Sequence, residues 1–565
     1  MMSKSKYAIG IDFGTESGRA LLVDVADGCE LATSVYPYAN GVIDEALPGS
    51  GVQLEPDWAL QDPDDYLAVV RQAVPAVLKE SAVDPADVIG LGIAFTSCTM
   101  LPTLADGTPL CRLAEFRAEP HAWVKLWKHH AAQPEADRVN ELAREMGEPW
   151  ADLYGGKISS EWFFPKALQI LDEAPYIYHA SERLIEAADW VIWQLTGNET
   201  RNSCMAGYKA IWQKSDGYPS QTYLTALHPD FGDVVSEKMG HTVLSLGSNA
   251  GGLTREAAEW TGLRSGTAVA VANVDAHATP PAAQAIEPGI MTIIMGTSNC
   301  HMVVADSRAK VPGMCGVVED GIVPGLFGYE AGQSAVGDIF GWFIDRCVPP
   351  AIHDEAAKQG VSIHDFLERE AATQRVGQHG ILALDWWNGN RSTLVDAELS
   401  GMLIGATLAT TSVDIYRALL EATAFGTRRI IDAFVENGVP VNSIVAAGGL
   451  PKRNPLLMQI YADVTNREFR VARSELAGAL GSAMHGAVVA GKDVGGYADI
   501  FAAAKFMGGQ DDEIYRPIEE NVLIYNQLYS DYYRLYDYFG LGEETPDNRT
   551  ERNDVMKRLR SLRRG

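Results

Sequence analysis

The sequence is poor in the features that mark exported, membrane-bound or nucleic-acid-binding chains. Its 565 residues hold seven cysteines: Cys29, Cys98, Cys111, Cys204, Cys300, Cys315 and Cys347. They are odd in number, widely scattered and never spaced Cys-x-x-Cys, so neither a disulfide framework nor a zinc ribbon is expected. No apolar run approaches the length of a membrane span, and the opening MMSKSKYAIG enters a strand without an apolar signal core. These absences predict a cytoplasmic protein with no membrane partner. Positive charge is scarce as well. The formal net charge is −28, which lacks the basic footprint that nucleic acid demands of a partner. The one basic run, KRLRSLRR from Lys557 to Arg564, reads as the solvated end of a helix or as a contact for an acidic surface.

What is present begins with a repeated pattern. YAIGIDFGTESGRALLVDV, Tyr7 to Val25, and GIMTIIMGTSNCHMVVAD, Gly289 to Asp306, each run an apolar strand into Gly-Thr and out into a second apolar strand. Apolar and β-branched residues on both sides of a short Gly/Thr/Ser segment predict a β-hairpin. Gly14 and Gly296 then sit at the turns, where glycine accepts positive φ and lets a ligand approach the main chain. Backbone N–H groups and hydroxyls at such a turn can cradle an anion. Each copy alone is equally readable as a tight turn and nothing more. The two lie about half the chain apart, which predicts two similar domains that each bring one hairpin to a shared cleft, the arrangement a nucleoside triphosphate needs.

The length suits two large domains, since single cores stop growing near roughly 250 to 300 residues. Strands are expected at Tyr7 to Phe13, Arg19 to Val25 and Glu30 to Tyr38. A helix follows, with Asp62 as its cap and Pro63 in its first turn. VIGLGIAFTSC and GTAVAVANVD read as buried strands, and residues 112 to 264 as a helix-rich elaboration. The second half repeats the plan, with a long helix from Ser412, the strand SIVAAGG, and a small-residue helix GALGSAMHGAVVAG able to pack closely on a sheet. The fold class is α/β. Pro280, Pro281 and the EPG at 287–289 mark the boundary between domains 1–286 and 287–545, with 546–565 as a basic tail.

Four motifs in order resemble the FGGY carbohydrate kinases of the actin-like ATPase superfamily, over nearly the whole chain. GIDFGTESGR is similar to the family's first phosphate motif, IMGTSNCHM to its second, and AAGGLPKRNPLLMQIYADVTNREF to its adenosine signature. ALDWWNGNRSTLVDAELSGMLIGATLATT looks like the segment that leads to the nucleotide cleft, although Gly389-Asn390-Arg391-Ser392-Thr393 stands where other members have Gly-Glu-Arg-x-Pro. EFRAEPHAWVKLWKHHAA, GGKISSEWFFPKAL and SCMAGYKAIW are most similar to the bacterial branch that phosphorylates L-ribulose in arabinose breakdown. Many other members show Trp-x-Asp-x-Arg near the first of these; here the corresponding run is taken as Ala114-Glu115-Phe116-Arg117. The resemblance implies two actin-like, ribonuclease H-like domains around a nucleotide and sugar cleft. It also implies ATP and Mg²⁺ as cofactors, a sugar as substrate, and a homo-oligomer.

Residue by residue, Asp275 in VANVDAHAT matches the family's general base, which would take the proton of an attacking sugar hydroxyl. On local sequence alone it reads rather as a cap for a helix beginning near Ala276, a preference that the resemblance reverses. Asp12 would organise Mg²⁺ and its waters, for which one or two carboxylates suffice, or would bond its own backbone. Thr15, Ser17 and Arg19 would serve the phosphates from one side and Gly296, Thr297 and Ser298 from the other, with Arg19 also readable as a surface cation. Gly448 and Gly449 would let adenosine lie on the backbone, and Asn454 would offer its amide to the base or cap the next helix. Gly389 resembles a family glycine near the nucleotide. Lys209 and Glu330, with Ser97, are the candidates for the sugar, since polyol recognition needs donors and acceptors at fixed places. A salt bridge across the cleft wall is the rival reading of that pair. His277 reads as a packed helix residue. The competing function is an actin- or chaperone-like ATPase, but the residues after Gly491 read as helix plus tail rather than a β-rich peptide-binding domain. A sugar sensor without turnover would be expected to lack the base that Asp275 supplies.

Overall fold

Both Gly-Thr segments turn hairpins, and each hairpin starts a sheet. In the first, β1 (Tyr7–Phe13) pairs antiparallel with β2 (Ser17–Asp24), which pairs antiparallel with β3 (Glu30–Pro37). Asp62 accepts a hydrogen bond from Asp64 N–H and caps helix α1 (Pro63–Ser81), as the Asp-Pro pair predicts. The chain returns as β4 (Val88–Phe95), parallel to β1. Much later β5 (Asn249–Gly252), β6 (Ala268–Ala270) and β7 (Asn273–Val274) complete the sheet. Its order is β5-β6-β4-β1-β2-β3, with β7 also on β4. The computed structural model describes residues 5–240, 242–541, 543–544, 550–551 and 555–564.

The second sheet comprises β8 (Ile290–Met295), β9 (Asn299–Ala305), β10 (Gly316–Glu319), β11 (Phe327–Gln333), β12 (Ser443–Ala447), β13 (Glu468–Ala472) and β14 (Gln510–Tyr515). They lie in the order β10-β11-β9-β8-β12-β13-β14. Three antiparallel strands, two parallel neighbours and an antiparallel edge therefore occur in both sheets, and β10 is the addition in the second. This duplicated plan is the α/β architecture expected of the chain.

Helix α2 (Ser203–Ala210) belongs to the elaboration of the first half, yet it lies on β10: a Cβ at Gly207 would fall 2.2 Å from Val318 Cγ1. The edge is pinned further by Gln213, which donates to Val317 O at 3.0 Å, and by Lys214 and Ser245, each 2.7 Å from Asp320 Oδ2. The elaboration is narrower than 112–264, because β5 at Asn249–Gly252 is a strand of the main sheet. Its Asn-Ala-Gly-Gly composition hides it, having none of the β-branched alternation by which a strand is read.

After the long helix α3 (Ser412–Glu436), the short α4 (Gly449–Arg453) and α5 (Pro455–Thr465), the small-residue helix α6 (Ala477–Ala490) crosses back. Instead of staying with the second sheet it presses on the first. Cβ atoms built at Gly10, Gly90 and Gly92 would lie 1.8, 1.9 and 2.0 Å from the carbonyl oxygens of Ala479, Gly486 and Ser482. No side chain fits there, so glycine on strand and helix sets the approach. A cut at residue 287 therefore does not separate the packing units, since α6 belongs by contact to the first. Beyond a short helix at Ile500–Met507, two more follow among the described residues, α7 (Glu519–Gly540) and α8 (Val555–Arg564). Of the expected basic tail, residues 546–549, 552–554 and 565 lie outside the described residues.

Candidate active site

The parallel strands β1, β4 and β7 end side by side, and their carboxyl ends are where an open α/β sheet places a ligand. Asp12 pairs in register with Ala94 of β4, and Val274 with Phe95. Asp275, the next residue, donates its N–H to Phe95 O at 2.9 Å. Asp12 and Asp275 therefore flank the end of β4. The first turn of α6 lies over both, since a Cβ at Gly478 would be 3.2 Å from Asp275 O and 3.6 Å from Asp12 Oδ2.

Asp275 does not cap a helix. Its Oδ1 accepts from Ala276 N–H at 2.7 Å, and the next helical turn starts only at Thr279. Burial, then the charge of Asp12, push its carboxyl up to about 7, against the Ala276 N–H. Burial likewise pushes Asp12 up to about 6, with Arg19 opposing it from the paired position on β2. Asp12 Oδ1 is buried without a hydrogen-bond partner. A desolvated, unpartnered carboxylate oxygen is expensive to bury and calls for a cation.

At the first turn Gly14 N–H donates to Ser17 O at 2.9 Å and Tyr38 Oη–H donates to Gly14 O at 2.9 Å. Gln61 Nε2 donates to Thr15 O at 2.7 Å and the Trp127 indole to Thr15 Oγ1 at 3.1 Å. At the second turn Gly296 N–H donates to Ser298 O at 3.0 Å, and Gly337 N–H and Val336 N–H donate to Gly296 O and Thr297 O at 3.0 and 2.7 Å. Gly296 and Thr297 are exposed, Ser298 half-buried. Neither Gly14 nor Gly296 has positive φ, contrary to expectation. Glycine leaves room at these turns rather than permitting an unusual conformation: a Cβ at Gly296 would have its nearest neighbour, Ser298 O, at 3.9 Å.

Lys209 and Glu330 meet. Helix α2 carries Lys209 and β11 carries Glu330, and Nζ lies 3.3 Å from Oε2. The Arg391 guanidinium also reaches this carboxylate, Nη2 lying 3.3 Å away, and the His277 imidazole approaches it with Nε2 at 3.5 Å. Burial opposes the charge on Glu330, but Lys209, then His277 and Arg391, hold it down at about 2. Burial also opposes the Lys209 charge, and Glu330 overrides it to make the ammonium more basic than usual. His277 is pushed down to about 4 by burial despite Glu330, stacks on Tyr208 with ring centroids 4.3 Å apart, and sits 3.2 Å from Cys204 Sγ. The charges of Glu330 and Lys209 both act on Asp275, so the cluster and the two carboxylates share one site. Ser97 is half-buried in the turn after β4, beside Cys98, whose carbonyl accepts from Lys166 Nζ at 2.5 Å.

Arg391 was not legible as a site residue, although its neighbours were. Gly389 is buried with φ +75°, and a Cβ there would strike Ala397 Cα at 2.6 Å. Its backbone makes a tight turn two residues before Arg391, which reaches Glu330. Ala114–Arg117 lies in a largely exposed turn, and it is Trp127 that reaches the first Gly-Thr turn. Gly448 has φ +96° and no space for a Cβ, Met295 O being 2.6 Å away, whereas Gly449 faces open space. The predicted adenosine turn thus abuts the strand that leads into the second Gly-Thr turn. Asn454 is a cap: Oδ1 accepts from Leu457 N–H at 2.8 Å, and the residue is buried.

Comparison with known proteins accounts for both halves. The model of the FGGY family of carbohydrate kinases matches residues 7–280 with its N-terminal domain and 291–490 with its C-terminal domain. The chain belongs to the FGGY family of carbohydrate kinases. Among curated FGGY relatives, the ribulokinase of Geobacillus thermodenitrificans is 59% identical over 98% of this chain and 97% of its own. That of Mycolicibacterium smegmatis is 54% identical over 99% and 96%. A solved xylulose kinase from Rhodospirillum rubrum shares the fold with a TM-score of 0.76 at 21% identity, covering 94% of this chain and 99% of its own. Gluconate kinase from Lactobacillus acidophilus gives 0.77 at 16%, over 95% and 99%. The protein is thus a carbohydrate kinase, an enzyme that phosphorylates a sugar with ATP. Among the described residues no helix is long and apolar enough to cross a membrane.

Proposed function

We propose that this kinase converts L-ribulose and ATP to L-ribulose 5-phosphate and ADP, with Asp275 as general base. The observation that carries the reading is a half-buried carboxylate at the end of β7, between the first phosphate turn and the Lys209–Glu330–Arg391 cluster. Near-full-length similarity to proteins named ribulokinase narrows the sugar. The sugar's hydroxyls would bond to Glu330 and Lys209, with Ser97 nearby. As the hydroxyl oxygen bonds to the γ-phosphorus, its proton passes to Asp275 and the bond to the β-phosphate oxygen breaks, releasing ADP.

Thr15, Ser17 and Arg19 on one turn and Gly296, Thr297 and Ser298 on the other would hold the phosphates, and Gly448 and Gly449 the adenosine. The orphaned Oδ1 of Asp12 fits Mg²⁺, held directly or through a water. When bound, the ion would neutralise charge on the phosphoryl oxygens. The same reading has the enzyme act in the cytoplasm as a homo-oligomer. A coupled ADP-release assay over ketopentoses, polyols and aldonates tests the substrate: L-ribulose should give the highest kcat/KM, and a clear preference for xylulose or glycerol would overturn the assignment.

A further inference from the structure

The basic end of the chain and the loop after Gly389 meet one another. Asn390 and Asp396 exchange backbone hydrogen bonds of 2.8 Å, closing the loop. Its inner side faces the sugar cluster: Arg391 Nη2 bonds Glu330 Oε1 at 3.3 Å, and Ser392 Oγ accepts from Gly332 N–H at 3.2 Å. Its outer side is held by the last two helices. Tyr536 Oη of α7 accepts from Thr393 N–H at 3.2 Å and from Asn390 Nδ2 at 3.3 Å. On α8, Lys557 Nζ pairs with Asp396 Oδ2 at 2.6 Å, with side chains 29% and 17% exposed. Arg560 Nη1 donates to Ala397 O at 2.5 Å and Leu399 O at 3.2 Å, and Met556 is buried.

Residues 389–396 form no helix or strand beyond two isolated bridges, Trp387 to Gly389 and Asn390 to Asp396, so the loop's shape depends on what grips it. Inside it, Leu394 N–H donates to Asn390 Oδ1 at 2.9 Å, a local bond that leaves the loop's direction unset. The Arg391 side chain must nevertheless stay on one carboxylate oxygen. We propose that the C-terminal basic helix is a strap that positions Arg391: by holding Asp396 and the carbonyls after it, α8 fixes the loop and so sets the affinity for the sugar. This rests on the reading of the Glu330 cluster as the sugar site. Lys557 and Arg560 are positioning residues, remote from any reacting atom. The basic run thus has a partner in the chain's own acidic loop, where the sequence allowed a solvated helix end.

The test compares Lys557→Glu, Asp396→Asn and Lys557→Arg in the full-length enzyme, with Arg391→Ala and Glu330→Ala as site controls. Asp396→Asn removes the charge while keeping an acceptor for Glu398 N–H, which now donates to Oδ1 at 2.9 Å. For each, the KM for L-ribulose, the KM for ATP, kcat and Tm are measured on one preparation. The strap predicts that Lys557→Glu and Asp396→Asn raise the ribulose KM about threefold or more, the scale of a half-buried ion pair, with ATP KM and Tm unchanged. Lys557→Arg should restore the wild-type value. If Arg391→Ala raises the ribulose KM but the Lys557 and Asp396 variants stay within experimental error of wild type, the strap is wrong and the site reading stands. A fall in Tm with both KM values altered alike would mean a merely structural contact and also overturn it. If Arg391→Ala and Glu330→Ala leave the ribulose KM unchanged, the site reading fails and takes the strap with it.

Discussion

Truncating Glu330 to Ala separates recognition from mere structure at the centre of the site. The carboxylate is 6% exposed and its partner Lys209 4%, so neither is relieved by water. If the carboxylate accepts from the sugar hydroxyls, its loss removes a hydrogen bond to a charged group worth about 1.5–3 kcal/mol. That raises the ribulose KM about ten- to hundredfold. The ATP KM should hardly move, because the turns proposed to hold the phosphates and adenosine lie on other strands. If Glu330 serves only as an ion-pair partner, the variant leaves a buried ammonium facing Arg391, and breaking a buried pair costs about 3–5 kcal/mol of stability. Tm would then fall by several degrees with no selective effect on the sugar. Both KM values and Tm are measured on one preparation, with Glu330→Gln as the variant of equal shape. A ribulose KM that stays near wild type, or that rises only together with the ATP KM, would refute the sugar assignment.

Four further outcomes are expected. With Asp275 raised to about 7, and the base required unprotonated, kcat/KM for ribulose should rise with pH along an acid limb with a midpoint at or below 7. The limb lies lower when a cation on Asp12 cancels the charge that helps raise Asp275, and a flat profile between pH 5 and 8 would contradict this. Glu330, held at about 2, stabilises the fold fully above the unfolded carboxylate range and loses this contribution as pH falls from about 4.5 toward 2; acid melts of wild type and Glu330→Gln should converge there. Asn454→Ala should cost about 1 kcal/mol of stability as a lost cap and leave the ATP KM unchanged; a selective ATP defect would reinstate an adenosine contact. Gly92→Ala, which would place a Cβ 2.0 Å from Ser482 O, should destabilise by about 3 kcal/mol or more. It should also lower kcat, because α6 lies over Asp12 and Asp275; normal urea melts would contradict the packing.

The parts of the fold that local chemistry dictates were readable from the sequence. The apolar and β-branched runs on either side of Gly14 and Gly296 predict the hairpins, and Asp62-Pro63 predicts the start of α1. Close packing of the small-residue helix was legible too, but not the sheet it packs on, because Gly478–Gly486 meets Gly10, Gly90 and Gly92 only through a crossing of the chain. The same limit applies at the site. Lys209 and Glu330 were singled out, but their convergence with Arg391 and His277 joins four distant segments, and no spacing in the sequence encodes it. Gly389 and Asn454 show the converse. Each stands in a motif that points to the nucleotide, while its own geometry, a positive φ in one case and a helix cap in the other, answers a local backbone requirement.

The most direct test of the account is ADP release from L-ribulose and ATP by wild type and Asp275→Asn, side by side, with ATP binding verified in both. Asp275→Asn should reduce kcat about a hundredfold or more, the loss expected for a general base, while still binding ATP. Near-normal turnover in the variant, or no ribulose-dependent ADP release by the wild type, would contradict a phosphoryl transfer to ribulose built around this carboxylate.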